Sequence, residues 1–276
     1  MPPKPTLKPT RRDLLRWMTA GAVTAMAPLS FGSYCTGLIS VEHHELSLPK
    51  WDADGFRVAL LADLHTNTVE EVIHAKQAIR LAIEQKPDLI AIPGDFVNIS
   101  EPTHLHFVRE SLEPLHDAKC PVVATLGNHD YNCRHIEGII DAIRTSPTVL
   151  LRNQAIEVKG VTVAGIDDAI ARRHRTDFLA DGSLSKSLLA LLHEPDFVEI
   201  MPNNVSLQLS GHSHGGQVCL PGGLALHTPR GAWDYIAGYY PDAKVPLYVT
   251  RGIGTVGLRV RLFCRPEVSI LTLRGA

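Results

Sequence analysis

Aspartate, asparagine and histidine recur along this chain just past short apolar runs. FRVALLA leads into Asp63-Leu64-His65, DLIAIP into Gly94-Asp95, and PVVATL into Gly127-Asn128-His129-Asp130. SLLALL leads into His193, and VSLQLS into Gly211-His212-Ser213-His214. Together these offer carboxylate, amide and imidazole donors without a thiolate, a set suited to Mn, Fe or Zn in open sites rather than to a closed structural zinc. Asp63 and His65 are two apart, so on extended backbone they project to one side and can share a cation; His212 and His214 stand in the same relation. Asp95 supplies a carboxylate able to bridge two cations. Two cations ~3.5–4 Å apart can hold a hydroxide and bind the oxygens of a phosphoryl group, because bound water becomes acidic at a pKa near ~7.

The fragments differ in weight. Asp-x-His recurs by chance, a strand-ending Gly-Asp is most often a turn, and a lone buried histidine is more often a satisfied core residue than a ligand. Gly127-Asn128-His129-Asp130 and Gly211-His212-Ser213-His214-Gly215-Gly216-Gln217 carry more, and their place in an ordered series raises His193 with them.

Elements must bring these residues together. Apolar runs of that length, rich in Val, Ile and Leu and bounded by Gly, Pro or Asp, read as buried strands. Thr68-Val69-Glu70-Glu71 matches a capping box ahead of Val72, Ala75, Ile79 and Ala82, and Pro87 ends the helix. A second helix follows Pro102 with Leu105, Val108, Leu112 and Leu115 on one face, and a third carries Ile136, Ile139, Ile140 and Ile143. This strand–helix alternation predicts an α/β fold, in whose open sheets ligands bind beyond the strands' carboxyl ends. The later half reads as strands with tight connections: TVLLRN, AIEV, VTVAGID, YVTRG and VRLFCRPEVSILTL. The contrast between halves predicts two mixed β-sheets packed as a sandwich flanked by helices.

The chain has 276 residues, 45% hydrophobic and 20% charged, long enough to bury a core without disulfides. Its five cysteines form no Cys-x-x-Cys pair, and buried structural cysteine is the reading for Cys133 and Cys219. Formal net charge is −2, but residues 1–35 carry Lys4, Lys8, Arg11, Arg12 and Arg16 against Asp13, leaving 22 basic and 28 acidic residues in the rest, a charge of about −6. Such a body lacks the basic excess that general nucleic-acid binding needs.

Arg11-Arg12 precede Trp17 to Phe31, a charge-free Ala/Gly/Thr-rich stretch. That is the pattern of a twin-arginine export signal, shorter than the roughly 20 apolar residues of a spanning helix. Residues 1–40 are read as signal or anchor and 41–276 as one domain. Ala25-Met26-Ala27 offers a cleavage site, an uncleaved anchor is the alternative, and Tyr34-Cys35 is a poor lipidation site.

With Asp-x-His, Gly-Asp, Gly-Asn-His-Asp, His and Gly-His-x-His in order over residues 63–214, the chain resembles the calcineurin-like metallophosphoesterases, and in particular their exported, twin-arginine-signal branch. The resemblance implies one metal on Asp63, His65 and His214, another on Asn128, His193 and His212, and Asp95 bridging. It makes His129 the non-ligand histidine that protonates the leaving oxygen or stabilises transition-state charge, with Asp130 orienting it. Asn98 stands where purple acid phosphatases of this fold place a ligand tyrosine, and those enzymes lack a counterpart of His65, which disfavours a purple Fe(III) centre. The retention of His129 separates the chain from relatives that have become scaffolds.

The expectation is an exported hydrolase of phosphodiester or pyrophosphate bonds using a metal-activated hydroxide, with a phosphate ester of lipid or cell-envelope origin as partner and the twin-arginine machinery as export route. Two rivals stay open: action on phosphomonoesters or a lipid-linked UDP-acylglucosamine, and a non-catalytic metal-loaded module that binds envelope polymers. Elsewhere, Asp167 and Asp168 are a turn or part of the site, and Arg251 is a phosphate ligand or a surface turn. Trp233, Tyr235, Tyr239 and Tyr240 are hairpin packing or a substrate rim, and His104, His106 and His116 are solvated.

Overall fold

The computed structural model describes residues 36–98, 104–133, 135–180 and 184–276. Arg11, Arg12, the apolar stretch after them, Cys35 and Pro102 lie outside the described residues. The first sheet gathers β1 (Ser40–Leu48), β2 (Phe56–Leu60), β3 (Leu89–Pro93), β4 (Val122–Thr125), β5 (Thr148–Leu150) and β14 (Glu267–Gly275) in the order β1-β14-β2-β3-β4-β5. The second gathers β6 (Gln154–Val158), β7 (Val161–Gly165), β8 (Leu188–Leu191), β9 (Leu207–Ser210), β12 (Gly238–Tyr240) and β13 (Leu247–Val249) in the order β12-β13-β9-β8-β7-β6. Both are mixed: β2 to β5 run parallel while β14 is antiparallel to β2, and β7, β8, β9 and β13 run parallel while β6 and β12 are antiparallel to their neighbours. A two-stranded ribbon of β10 (Cys219–Leu220) and β11 (Leu224–Ala225) stands apart.

Why the sequence reads as unbroken apolar runs follows from the layering. In β2 and β3, Val58, Leu60, Leu89 and Ala91 face the second sheet, while Ala59, Ile90 and Ile92 face the helices. Strands buried on both faces lose the apolar–polar alternation of a half-exposed strand. The second sheet answers with Val163, Leu189, Leu191, Leu207 and Leu209. The helices α1 (Val69–Glu84), α2 (Leu105–Leu112) and α4 (Ile136–Arg144) cover the outer face of the first sheet with Ile79, Leu112 and Ile140. The outer face of the second is closed instead by 3₁₀ turns at Asp177–Ala180 and Pro195–Ile200, through Leu179 and Val198. The sandwich is as expected, and the α-helical flank is one-sided.

Local chemistry sets the boundaries. Thr68 accepts from the Glu71 amide at 3.3 Å, and the Glu71 carboxylate reaches back to the Asn67 amide at 2.9 Å, which fixes the start of α1. The expected helix through Leu115 stops at Leu112 and tightens into a 3₁₀ turn over Glu113–Asp117, because Pro114 offers no amide for the α-helical ladder. The run from Val260 is likewise not one strand. Pro266 cannot donate to a sheet, and β14 begins only after it. β14 then returns to the first sheet between β1 and β2, a long-range pairing that no local pattern announces.

Candidate metal centre

β2, β3 and β4 of one sheet and β8 and β9 of the other deliver their carboxyl ends to a common point, and the candidate residues sit on the loops just beyond. These loops are stitched to one another by backbone. The amides of Asp63 and His65 donate to the carbonyls of Gly94 and Asp95, each at 3.1 Å, and the Gly211 amide donates to the His193 carbonyl at 3.1 Å. The His212 amide meets both carboxylate oxygens of Asp63, at 3.0 and 3.1 Å.

Extended backbone does not pair Asp63 with His65. The strand has ended at Leu60, and both residues are left-handed, with φ of 55° and 47°. Asp95, His212 and His214 are left-handed too, at 59°, 69° and 51°. Non-glycine residues in that region are uncommon, cost of order 1–3 kcal/mol each and collect at functional sites. The twist also separates His212 from His214, whose spacing alone suggested a shared cation and which the family resemblance divides between two. Asp63, His65 and His214 form one group whose ligand atoms lie within 4.8 Å of one another, and Asp95, His193 and His212 form a second. All six are buried. Asp95 stands between the groups, its Oδ2 3.1 Å from His193 Nε2 and 3.6 Å from His65 Nε2.

Three of the imidazoles have one nitrogen tied to a carbonyl, which aims the other. His65 Nδ1 donates to the Val97 carbonyl at 3.0 Å, His193 Nδ1 to that of Pro93 at 2.6 Å, and His212 Nε2 to that of Arg230 at 2.9 Å. Such outer contacts fix tautomer and ring orientation in metal sites. The free nitrogens converge: His65 Nε2 lies 3.1 Å from His214 Nε2, with the rings stacked at 4.9 Å.

Electrostatics give these groups their ligand forms. Burial lowers His65 to about 3 and holds His212 and His214 below the usual histidine range, leaving neutral imidazoles with a lone pair to offer. Burial also pushes the Asp63 carboxyl up, to about 6, against the pull of His193. For Asp95 burial acts the same way, but His193 and His65 outweigh it and keep it ionised. His193 is raised despite its burial, because Asp95 and Asp63 face it. A cation would take over the role of that proton, the competition expected of a metal site. Two buried atoms test the fit directly: Asn128 Oδ1 has no hydrogen-bond partner, and within hydrogen-bond reach His193 Nε2 meets only the Asp95 carboxylate, at 3.1 Å. An orphaned amide oxygen beside the second group, and an imidazole nitrogen within it whose sole partner is a carboxylate, are donors placed for a cation, and the residues fit a pair of metal ions.

Asn128, His129 and Asp130 lie together on α3 (Asn128–Asn132), whose first turn closes the loop after β4. His129 lines the cavity in front of the two groups, its ring edge-on to His65 at 4.9 Å. The expectation from sequence is corrected at Asp130, which does not orient that ring. Its carboxylate accepts from the backbone amides of Asp95, Phe96, Val97 and Gly127, at 2.9–3.3 Å, and so clamps the Asp95 loop to the α3 loop. The ring of His129 is held by the Asn98 carbonyl, 2.9 Å from Nδ1.

The remaining candidates fall outside the site. Asp167 accepts from Tyr131 Oη and Arg152, and Asp168 is paired with Glu194. Arg251 bridges Glu42 and Glu267, each at 2.8 Å, and ties the edge of the first sheet together. Tyr235 and Tyr240 pack edge to face, and Tyr239 Oη donates to the Ser47 carbonyl, so these tyrosines are hairpin packing. His104 is half-buried against Asn67 rather than solvated, while His106 and His116 are exposed. Cys219 is buried and Cys133 half-buried, as free thiols.

Sequence reasoning missed the second ring of support. Gly252, left-handed at φ +68°, passes so near Asp63 that a Cβ there would lie 2.5 Å from Oδ2. Gly94 is equally committed: at φ +88°, its Cβ would lie 2.5 Å from the Gly127 amide. The Gly252-Ile253-Gly254 doublet was a visible hint. Arg261 left none. It is fully buried, and its guanidinium donates to the carbonyls of Gly254, Arg251 and Gly252 at 2.6–3.3 Å and to that of His214 at 3.2 Å. It thereby shapes the loop under Asp63 and His214.

The structure is thus a two-sheet α/β sandwich with two His/Asp groups at the strand ends that could each hold a metal ion. The family comparison gives the class directly: residues 56–216 match the model of the calcineurin-like phosphoesterases. The chain belongs to that family, and it is a metal-dependent hydrolase of phosphoric ester bonds. It is 32% identical over 271 residues to the phosphodiesterase YaeI of Escherichia coli, covering 94% of this chain and 98% of the relative. It is 29% identical over 287 residues to the metallophosphoesterase YkuE of Bacillus subtilis, covering 97% and 99%. Among solved structures, a dimetal phosphatase from Danio rerio overlays with a TM-score of 0.44 at 10% identity, covering 72% of this chain and 88% of that one.

Proposed function

We propose that this protein hydrolyses phosphodiester or pyrophosphate bonds at a binuclear centre of Mn, Fe or Zn. The observation that carries the reading is the pair of buried ligand groups with Asp95 between them, opening onto a cavity of about 330 Å³ lined by Asn128, His129, His212 and His214. Asp63, His65 and His214 would hold one cation and Asn128, His193 and His212 the other. When bound, the pair lowers the pKa of a water to near ~7 and offsets the charge of the phosphoryl oxygens.

The chain's own residues do the rest. Asp95 holds the two groups at fixed separation and accepts the His129 amide at 2.9 Å. The Asn98 carbonyl takes one nitrogen of His129 and leaves Nε2 to carry a proton toward a leaving oxygen. The buried floor keeps bulk water from the ligand atoms. Similarity to a phosphodiesterase over nearly the whole chain supports a diester as substrate. Export by the twin-arginine route, supported by Arg11-Arg12 and the charge-free stretch after them, belongs to the same proposal. Among the described residues, no helix is long and apolar enough to cross a membrane.

The test is metal analysis joined to a substrate panel of bis-p-nitrophenyl phosphate, p-nitrophenyl phosphate and UDP-acylglucosamines. Near two transition-metal ions per chain and preference for the diester are expected. His129→Ala should lower kcat about 10²–10⁴-fold with metal content unchanged. Full activity in that variant, or a purified chain without transition metal, would end the reading.

A further inference from the structure

The cavity in front of the metal groups has a rim unlike the rest of the surface. Leu226 and Val256 line the cavity itself, and just outside stand Leu224, Trp233, Leu258 and Phe263, exposed to 66%, 65%, 73% and 50%. They form one structure. The Gln217 side chain donates to the carbonyls of Val256 and Leu258 and accepts the Val256 amide, and the Cys219 amide donates to the Leu262 carbonyl. Leu226 and His227 also wall a second, shallower hollow that reaches Trp233. An apolar rim of this kind beside a binding cavity marks an interaction site rather than ordinary surface.

Two further observations say what covers it. First, the rim segments 217–233 and 256–265 contain no Asp or Glu, in a chain with 29 of them, and place Arg230, Arg259 and Arg265 in exposed positions, against the exposed Asp234 just past Trp233. Large apolar side chains interleaved with arginine are the composition of surfaces that sit in an anionic bilayer interface. Second, the described chain begins at this face: Thr36 is buried there, its Oγ1 accepting the Arg261 amide at 2.9 Å. The 35 residues before it, basic and then apolar in sequence, are therefore joined to the body through a residue held by Arg261 of the rim segment 256–265.

We infer that this rim docks on an anionic lipid bilayer, so that the centre takes a phosphodiester whose lipid part stays in the membrane. The surface stands on its own observations, while the substrate statement rests on the phosphodiesterase reading. The rim's apolar side chains would enter the acyl boundary and its arginines would pair with lipid phosphates, leaving the cavity mouth at headgroup depth.

The full-length protein carrying Trp17→Phe retains Trp51, which is buried, and Trp233 on the rim. With vesicles of phosphatidylglycerol and phosphatidylcholine carrying brominated acyl chains, its fluorescence should be quenched, and the additional change Trp233→Phe should abolish the quenching. Vesicle-bound protein whose quenching is the same with and without Trp233 would overturn the docking surface. The second arm compares hexadecyl p-nitrophenyl phosphate in those vesicles with soluble bis-p-nitrophenyl phosphate. The triple variant L224S/L258S/F263S should lose about tenfold on the vesicle substrate and less than about twofold on the soluble one. Equal rates of wild type and variant on the vesicle substrate would overturn it as well. Inactivity of the wild type on both diesters would instead refute the catalytic reading, with the quenching result unaffected.

Discussion

At the floor of the cleft, His65, His193 and His212 each commit one ring nitrogen to a backbone carbonyl, whereas at the rim Leu224, Trp233 and Leu258 keep more than half their surface in water. The floor is over-determined. Left-handed residues that cost free energy in isolation persist there because Gly94, Gly252, Arg261 and Asp130 leave the loops no alternative. Among the described residues, the side chains of Leu224, Trp233 and Leu258 end in water. The difference separates two jobs. The floor fixes what chemistry is done, and its tolerance of change is small; the rim sets which molecules reach it, and its substitution costs the fold little.

The comparison breaks most sharply at Asp95. Asp95→Ala removes the carboxylate between the two groups, and metal content should fall below two per chain with activity lost by more than about 10³-fold. A fully loaded, active variant would show that the groups do not share it. Gly252→Ala replaces no ligand, yet its methyl group would press on Asp63 from a backbone that disfavours side chains. Metal affinity should weaken about 10–100-fold, measured by competition with a chromogenic chelator. Unaltered affinity would mean that the floor is softer than the contacts imply.

One layer below the loop lies His74 of α1, whose proton affinity is lowered by burial and by Arg261 and Arg259, to about 4 from 6.5. The unfolded chain therefore binds this proton first, and the stability His74 contributes at neutral pH is lost as pH falls from 6.5 toward 4. His74→Gln should flatten the acid side of the denaturation profile by about 2 kcal/mol. A profile that stays parallel to wild type would place the acid sensitivity elsewhere. At the other extreme, Leu258→Ser should leave the unfolding free energy within about 0.5 kcal/mol of wild type, as expected where no packing is lost. A larger loss would show that the rim supports the fold.

Much of this molecule is legible in its amino-acid sequence. Strands buried on both faces must be written as continuous Val, Ile and Leu runs, so β2, β3, β4, β8 and β9 announce themselves, and the residues that leave their carboxyl ends name the candidate ligands. The chemistry is legible because cations demand a few side-chain types and the chain spells them in order. The tertiary structure alone decided what depends on atoms far apart in sequence. It set the return of β14 to the first sheet and the left-handed loops that divide His212 from His214. It turned the Asp130 carboxylate onto backbone amides, and it buried Arg261 inside what read as a strand. In each case the deciding partner is a backbone group or a glycine contact, and a backbone amide or carbonyl carries no letter of its own. Side-chain identity specified the reagents; the packing of loop on loop specified their aim.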